Sequence, residues 1–255
     1  MIALSAIAAK LDCPHEVIGP CLLVCGDALE VERYIPAGFF ACVSTDPPYG
    51  IDHPCNFHQR GRDKLARCND YASVKGDDAP FDPTWILTLD VPSVLWGANH
   101  YSDKLPNSSG WLVWDKERPD DLDQATCELA WTNCVKGVRR FRHLWNGMMR
   151  ASEHGENYHP TQKPVALYEW VLSLRWIPSG PIFDPYMGAG PGGIAAIRAR
   201  RKFVGCELEP THYATACDRI RREWETYQGG PLFSPKADPD LFGADPPGFN
   251  TARTA

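Results

Sequence analysis

The stretch Ile182-Phe183-Asp184-Pro185-Tyr186-Met187-Gly188-Ala189-Gly190-Pro191-Gly192-Gly193 passes from an apolar run through a glycine-rich turn into an Ala- and Ile-rich segment of helical character. Strand, glycine turn and helix in that order form the nucleotide-binding unit of an open α/β sheet, because a turn without side chains lets the backbone approach a ligand closely. The following apolar run, Phe203–Cys206, delivers Glu207 19 residues after Gly188, near the separation at which an acidic side chain reaches ribose hydroxyls. From these residues alone two readings stay open: a nucleoside-containing cofactor, or a turn and helix that only pack together.

On either side of this stretch, short apolar runs rich in β-branched and aromatic residues alternate with longer helix-compatible segments, which predicts α/β architecture. The predicted strands are Cys21–Cys25, Ala41–Thr45, Ser93–Trp96, Trp111–Trp114, Glu128–Trp131, Arg140–Leu144, Ile182–Phe183 and Phe203–Cys206. The clearest helices are Val165–Leu174, Gly193–Arg200 and His212–Tyr227, preceded by Thr161 and Pro164, Pro191, and Pro210-Thr211 respectively. A chain of 255 residues, 44% hydrophobic, can bury a full core as one large domain or two small ones. With 26 Lys and Arg against 32 Asp and Glu, the net charge of −6 gives no reason to expect indiscriminate binding to nucleic acid or anionic membranes, so any such contact has to be local. No run approaches the roughly 18 apolar residues of a spanning helix, and Met1–Ala9 lacks the basic start of an export signal. The expectation is a soluble, cytoplasmic protein with no membrane partner, in which the ten cysteines stay reduced. His53, Cys55, His58 and Cys68 match no zinc spacing, so no metal is expected. From Gly229 the composition turns to Gly, Pro, Ala and Asp, predicting a disordered tail over 229–255.

A second candidate site is Ala41-Cys42-Val43-Ser44-Thr45-Asp46-Pro47-Pro48-Tyr49-Gly50. A strand ends in a carboxylate, two prolines stiffen the chain, and an aromatic follows. Pro47 and Pro48 fix φ and remove two donors, so the Asp46 carboxylate and the Pro47 carbonyl can both point as acceptors into one small space, which suits an amino group with two hydrogens to give. Tyr49 can stack on a planar ring, as extruded bases are held. The alternative is a proline turn with an N-cap aspartate. Asp245-Pro246-Pro247 repeats the tripeptide, but no strand precedes it and Gly248 follows, so it is read as tail.

Together these blocks resemble the β class of DNA amino-methyltransferases, which transfer methyl from S-adenosylmethionine to adenine N6 or cytosine N4. Asp46-Pro47-Pro48-Tyr49 is similar to their catalytic DPPY-type motif and Phe183–Gly190 to their cofactor motif. Gly26-Asp27-Ala28-Leu29, His159-Pro160-Thr161-Gln162-Lys163-Pro164 and Phe203-Val204-Gly205-Cys206-Glu207 resemble three further family segments. The resemblance runs from Leu22 to Tyr227 with the catalytic motif first, the permuted order. It implies a Rossmann-like methyltransferase fold, with a mostly parallel twisted sheet and helices on both faces, over residues 1–228, and a small target-recognition segment over roughly 115–158. By the same resemblance Asp46 and the Pro47 carbonyl accept the target amine, Tyr49 stacks on the flipped base, Thr161 and Lys163 face the methionine carboxylate, Asp184 the methionine amino end, Glu207 the ribose and Asp27 the adenosine end; Gly188 and Gly190 shape the cofactor turn. Where the family commonly has Ser-Gly-Thr-Thr, this chain has Ala189-Gly190-Pro191-Gly192, which leaves the backbone of the turn but removes hydroxyls that could bind the cofactor.

Between Glu128 and Glu153 lie 24 residues with no acid and five bases, among them Arg139, Arg140 and Arg142, with Trp131, Phe141 and Trp145 interleaved. A basic, aromatic stretch on an acidic protein fits local phosphate contact with DNA; a solvated strand face is the alternative. Arg60, Arg62, Lys64 and Arg67 form a looser basic set in the segment after Tyr49. An aspartate heading the catalytic motif favours adenine by the family resemblance, with N4-cytosine methylation as the first alternative and a weak or inactive nucleic-acid-binding relative as the second. Relatives are often homodimers, and Leu232-Phe233 and Leu241-Phe242 in the tail loosely resemble sliding-clamp peptides.

Overall fold

Five parallel strands, buried along nearly their whole length, form the centre of the sheet, and four of them end in Asp27, Asp46, Asp184 and Glu207 or just before them. The structure is a computed structural model that describes residues 3–51, 74–119, 125–146, 149–154, 158–159 and 161–229. The zinc-like cluster at 53–68, the basic set at 60–67, and the tail with its clamp-like peptides lie outside the described residues, apart from Gly229, where the last helix ends.

In chain order the elements are α1 (Leu4–Ala8), β1 (His15–Ile18), β2 (Cys21–Cys25), α2 (Ala28–Glu32), β3 (Cys42–Thr45), α3 (Thr84–Leu87), β4 (Ser93–Trp96), β5 (Gly110–Asp115), β6 (Cys127–Thr132), β7 (Val138–Arg142), β8 (Trp145–Asn146), β9 (Met149–Arg150), α4 (Val165–Ser173), β10 (Ile182–Asp184), α5 (Pro191–Arg198), β11 (Phe203–Glu207) and α6 (Pro210–Gly229). Among the described residues nine strands form one sheet in the order β1-β2-β11-β10-β3-β4-β6-β5-β7, and β8 pairs with β9 separately. From β2 to β4 the pairings are parallel, with Phe183 opposite Val43 and Val204 opposite Leu22. Strand β6 runs antiparallel to both β4 and β5.

A strand buried on both faces must be apolar at successive positions, since neighbours point to opposite sides. Leu23, Ile182, Phe203 and Trp96 pack toward α4, α5 and α6, with Val171, Ile194 and Ile220. Leu22, Val43, Phe183 and Leu95 pack toward α1, α2 and α3, with Ile7, Val31 and Ile86. This is the Rossmann-like arrangement, helices on both faces of a mostly parallel sheet. Each predicted strand and each of the three predicted helices is present, Cys21–Cys25 and Ser93–Trp96 with the predicted ends and the others with at least one end moved by one or two residues. Strand β1, the three short helices and the β8–β9 ribbon carry too little periodicity to have been read from sequence.

Candidate active site

In a parallel sheet every strand delivers its last residues to the same edge, and ligands bind in the crevice outside it. Here the carboxyl ends bring Gly26-Asp27 from β2, Glu207 from β11, Asp184 from β10, Asp46 from β3 and Gly97 from β4 to one edge.

The loop after β3 is fixed by one carboxylate. Pro47 and Pro48 have no N–H, and the next three, from Tyr49, Gly50 and Ile51, all donate to Asp77 Oδ1 at 3.0, 2.9 and 3.3 Å. Tyr49 lies against Gly97, which has φ +69 and no room for a side chain, since a Cβ would fall 1.9 Å from the Tyr49 ring. The ring stacks on exposed His100 at 4.9 Å between centroids and 12° between planes. Its hydroxyl donates to Asp46 Oδ1. Burial, followed by the Asp46 charge, pushes the Tyr49 phenol well above its usual range, so it stays a donor.

Lys163, in the extended segment ahead of α4, donates to Asp46 Oδ2 at 2.5 Å and to the Tyr49 hydroxyl at 3.1 Å. Its Nζ also lies 3.1 Å from Glu128 Oε2, and Glu128 Oε1 pairs with Lys116 at 2.5 Å. Burial raises Asp46 above the ordinary carboxylate range and Lys163 only partly offsets it. Burial acts on Glu128 in the same sense, but two flanking ammonium groups win and bring it to about 2. Lys163 stays charged, because Asp46 and Glu128 outweigh its own desolvation.

At the other end of the edge, Gly188 and Gly190 adopt positive φ, and Gly190 in the left-handed region starts α5 with Pro191 in its first turn, where a missing N–H costs nothing. Arg219 on α6 donates to the Ala189 carbonyl at 2.7 Å and to Glu153 at 2.8 Å, bracing the turn whose hydroxyls are absent. Glu207 accepts the N–H of Gly188 at 3.1 Å and of Glu209 at 2.8 Å, which fixes its orientation; burial raises its pKa. Asp184 is fully buried; Oδ1 accepts the Thr45 hydroxyl at 2.6 Å and the Tyr186 N–H at 3.2 Å. Its Oδ2 has no hydrogen-bond partner among the described residues, and burial pushes the carboxyl up to about 7. Asp27 caps α2 through the Leu29 N–H, and Thr161 is held by His159.

Lys163, expected to face the methionine carboxylate, meets two anions, Asp46 at the end of β3 and Glu128 on β6, with β4 lying between the two strands. Arg139, Arg140 and Arg142 do not form one patch, because a strand sends neighbours to opposite faces. Arg139 lies over the Trp176 ring at 4.9 Å, whereas Arg140 and Arg142 are exposed near Asp115, with Arg142 also 2.9 Å from Glu117. Sequence reading missed Thr45, Asp77, His100, Lys116 and Arg219, and saw Glu128 only as part of a strand. Thr45 directly precedes Asp46 in the quoted stretch and could have been noted there; the others sit in no local motif.

A doubly wound sheet with a glycine turn, an oriented acid on the next strand and an acceptor loop at the topological switch defines the class of Rossmann-like methyltransferases. The sequence profile described as DNA methylase matches residues 98–218. The chain is 31% identical to the type II methyltransferase M2.LlaDCHI of Lactococcus lactis subsp. cremoris over 242 residues, covering 79% of this chain and 89% of that protein. It is 32% identical to the type II methyltransferase M2.DpnII of Streptococcus pneumoniae over 89 residues, a match that spans only 33% of that protein. In fold it is similar to the cytosine-N4-specific PvuII DNA methyltransferase, with a TM-score of 0.52, 14% identity, and coverage of 84% of this chain and 94% of that one. The chain belongs to the family of N6/N4 DNA methylases, which are S-adenosylmethionine-dependent.

The residues fit that cofactor. Asp184 Oδ2 is buried and has no hydrogen-bond partner among the described residues, and a Cβ on Gly192 would come within 3.1 Å of it, so only glycine leaves this oxygen uncrowded. A buried carboxylate left in this state calls for a cation or donor.

Proposed function

We propose that this protein methylates adenine N6 in DNA, on a base flipped out of the duplex, with S-adenosylmethionine as methyl donor. The observation that carries the reading is the acceptor built at the end of β3. Asp46 is anchored through Oδ2, its other oxygen is engaged, among the described residues, by a hydroxyl from its own loop, and it stands one strand away from the cofactor-side carboxylate Asp184.

When bound, the cofactor supplies an electrophilic methyl group. An exocyclic amine conjugated to its ring is a weak nucleophile, so the protein acts by alignment. Asp46 Oδ1 and the Pro47 carbonyl accept the two amine hydrogens and turn the nitrogen lone pair toward the methyl. The Tyr49 hydroxyl is exchanged for the incoming N–H, and the surplus proton of the methylated amine leaves along the hydrogen bond to Asp46. The Tyr49 ring already stacks on a planar heterocycle, the exposed His100, which supports a base taking that face. Asp184 Oδ2 receives the cofactor's ammonium, Glu207 its ribose hydroxyls, Asp27 the adenosine end and Thr161 the carboxylate. Arg140 and Arg142 contact phosphate from within the 115–158 recognition segment.

The test is transfer of labelled methyl to unmethylated genomic DNA followed by nucleoside mass spectrometry. N6-methyl-2′-deoxyadenosine supports the reading, N4-methyl-2′-deoxycytidine replaces it with the cytosine reaction, and no product refutes both. Asp46→Ala should abolish transfer while leaving cofactor affinity within about threefold, since it removes an acceptor for the amine and no proposed cofactor contact; calorimetry with S-adenosylmethionine reads the second half.

A further inference from the structure

Four charged side chains from four separate segments form one largely buried series: Asp46 after β3, Lys163 ahead of α4, Glu128 on β6 and Lys116 just past the end of β5. Two carboxylates and two ammonium groups cancel, the condition under which ions sit out of water; removing one partner leaves an uncompensated charge. Exposure is uneven along the series. The Lys163 side chain is 4% exposed and that of Asp46 13%, so the open side of this pair belongs to the carboxylate. Lys163 holds Oδ2, which leaves Oδ1 facing the Tyr49 hydroxyl. Glu128 and Lys116 have no part in the proposed transfer, yet Glu128 meets both ammonium groups.

We propose that Lys163, held by Glu128 and through it by Lys116, is the positioning residue that fixes Asp46 Oδ2 and keeps the carboxylate anionic, so that Oδ1 is presented to the target amine. This rests on the reading of Asp46 as amine acceptor. Among the described residues the groups that face Asp46 are Tyr49 in its own loop, Lys163, Glu128 on β6, Tyr101 after β4, Asp184 on β10 and Tyr168 on α4. Lys163 is the cation among them; the others are acids or phenols. Burial pushes Asp46 up, Lys163 pulls it back, and Glu128 pushes it up again. A neutral Asp46 would offer the amine one acceptor fewer and a competing O–H.

The two neighbours therefore act on Asp46 with opposite sign. Lys163→Met removes the cation and moves the midpoint of Asp46 ionisation up. Glu128→Gln removes a like charge and frees Lys163 for Asp46 alone, moving it down. Lys163→Arg keeps the charge and stays near the parent. On the acid limb of kcat, a midpoint displaced by about one on the pH scale changes the rate about tenfold. A purely structural role predicts losses of kcat at all pH values with an unmoved limb.

The experiment measures kcat against pH for transfer to unmethylated genomic DNA by the full chain, and in parallel the 13C carboxyl resonance of Asp46, assigned by its loss in Asp46→Asn. Opposite displacements in Lys163→Met and Glu128→Gln, with Lys163→Arg near the parent, are the expected result. Displacements in the same direction, or an Asp46 resonance that titrates alike in all variants, overturn the proposal. Should Lys163→Met fail to fold, as circular dichroism reports, Glu128→Gln decides: a midpoint that is unmoved or raised overturns it. Should the parent transfer no methyl to an exocyclic amine, the reading of the reaction falls, and the resonance still decides whether Lys163 holds Asp46 charged.

Discussion

On the proposed reading, in which Asp184 receives the cofactor's ammonium, this carboxylate ties cofactor affinity to pH. Its carboxyl sits at about 7 because burial penalises the anion more than the Thr45 hydroxyl and the Tyr186 N–H favour it, with the charges of Asp46 and Glu207 adding in the same direction as burial. An ammonium group placed at Oδ2 stabilises the ionised form, so the free protein must shed this proton to bind. With a midpoint of about 7, the ionised fraction rises from about 3% at pH 5.5 to about one half at pH 7, and affinity for S-adenosylmethionine should rise about 15-fold over that interval. The ligand's own amine, an α-amino group of pKa roughly 7.7–8.0, stays charged throughout. Binding at pH 7 should release about half a proton per site from this group. The assay is calorimetry in two buffers of different ionisation enthalpy, with Asp184→Asn as the comparison. The amide keeps an oxygen for Thr45, loses the charge, binds more weakly and should lose this part of the slope, which separates Asp184 from His159, His212 and Glu207. The same slope in parent and variant would refute the argument. The raised value also has a stability consequence. Between the ordinary carboxylate range and pH 7 the unfolded chain has already released the proton that the folded chain keeps, so this group's contribution to stability falls as pH rises through that window. Without ligand, Asp184→Asn should therefore melt higher than the parent above pH 7 and show less advantage near pH 4.

Asp77→Ala should release the three amides that converge on it, costing roughly 2 kcal/mol or more and lowering the transfer rate at least tenfold; hydrogen exchange at residues 49–51 should rise with it. Gly97→Ala combines a left-handed backbone worth about 1–2 kcal/mol with a methyl driven into the Tyr49 ring, so kcat/KM should fall further than the melting temperature suggests; a variant of parental rate would show that the ring does not need its place. Replacing Arg140 and Arg142 by Ala should weaken DNA binding and reduce its salt slope by about one per lost phosphate contact, whereas Arg139→Ala, whose guanidinium lies on Trp176, should leave the slope alone.

The central strands could be read in the sequence because burial on both faces demands runs such as Cys21–Cys25 and Phe203–Cys206, which no other local structure of that length explains as well. Strand β1, His15-Glu16-Val17-Ile18, escaped notice because an edge strand with one open face needs little apolar content. The carboxylates at the strand ends were legible for the same reason as the strands: a parallel sheet puts its chemistry just past each apolar run. What lay beyond reach was pairing. Lys163 and Asp46 are 117 residues apart, and whether that lysine meets a ligand or a carboxylate depends on the order in which β3, β4 and β6 lie. Glu128 could not be singled out, since a lone acid on a strand reads as solvent-facing until its neighbours are known. The arginines show the reverse error, where closeness along the chain was taken for closeness in space although a pleat separates Arg139 from Arg140.

The sheet inserts the late strands β10 and β11 between the early strands β2 and β3, and the Thr45–Asp184 hydrogen bond joins residues 139 apart. An emerging chain that has made β2, β3 and β4 therefore has a gap where its centre belongs, and the loop carrying Asp46 has no neighbour to hold it. Synthesis must pass β11 before the sheet can close, and closing it through such distant contacts is slow. The order of strands thus sets a sequence of events: a half-made copy has the Asp46 motif in full before the glycine turn and Glu207 exist, so the two halves of the proposed site come together only once β11 has formed.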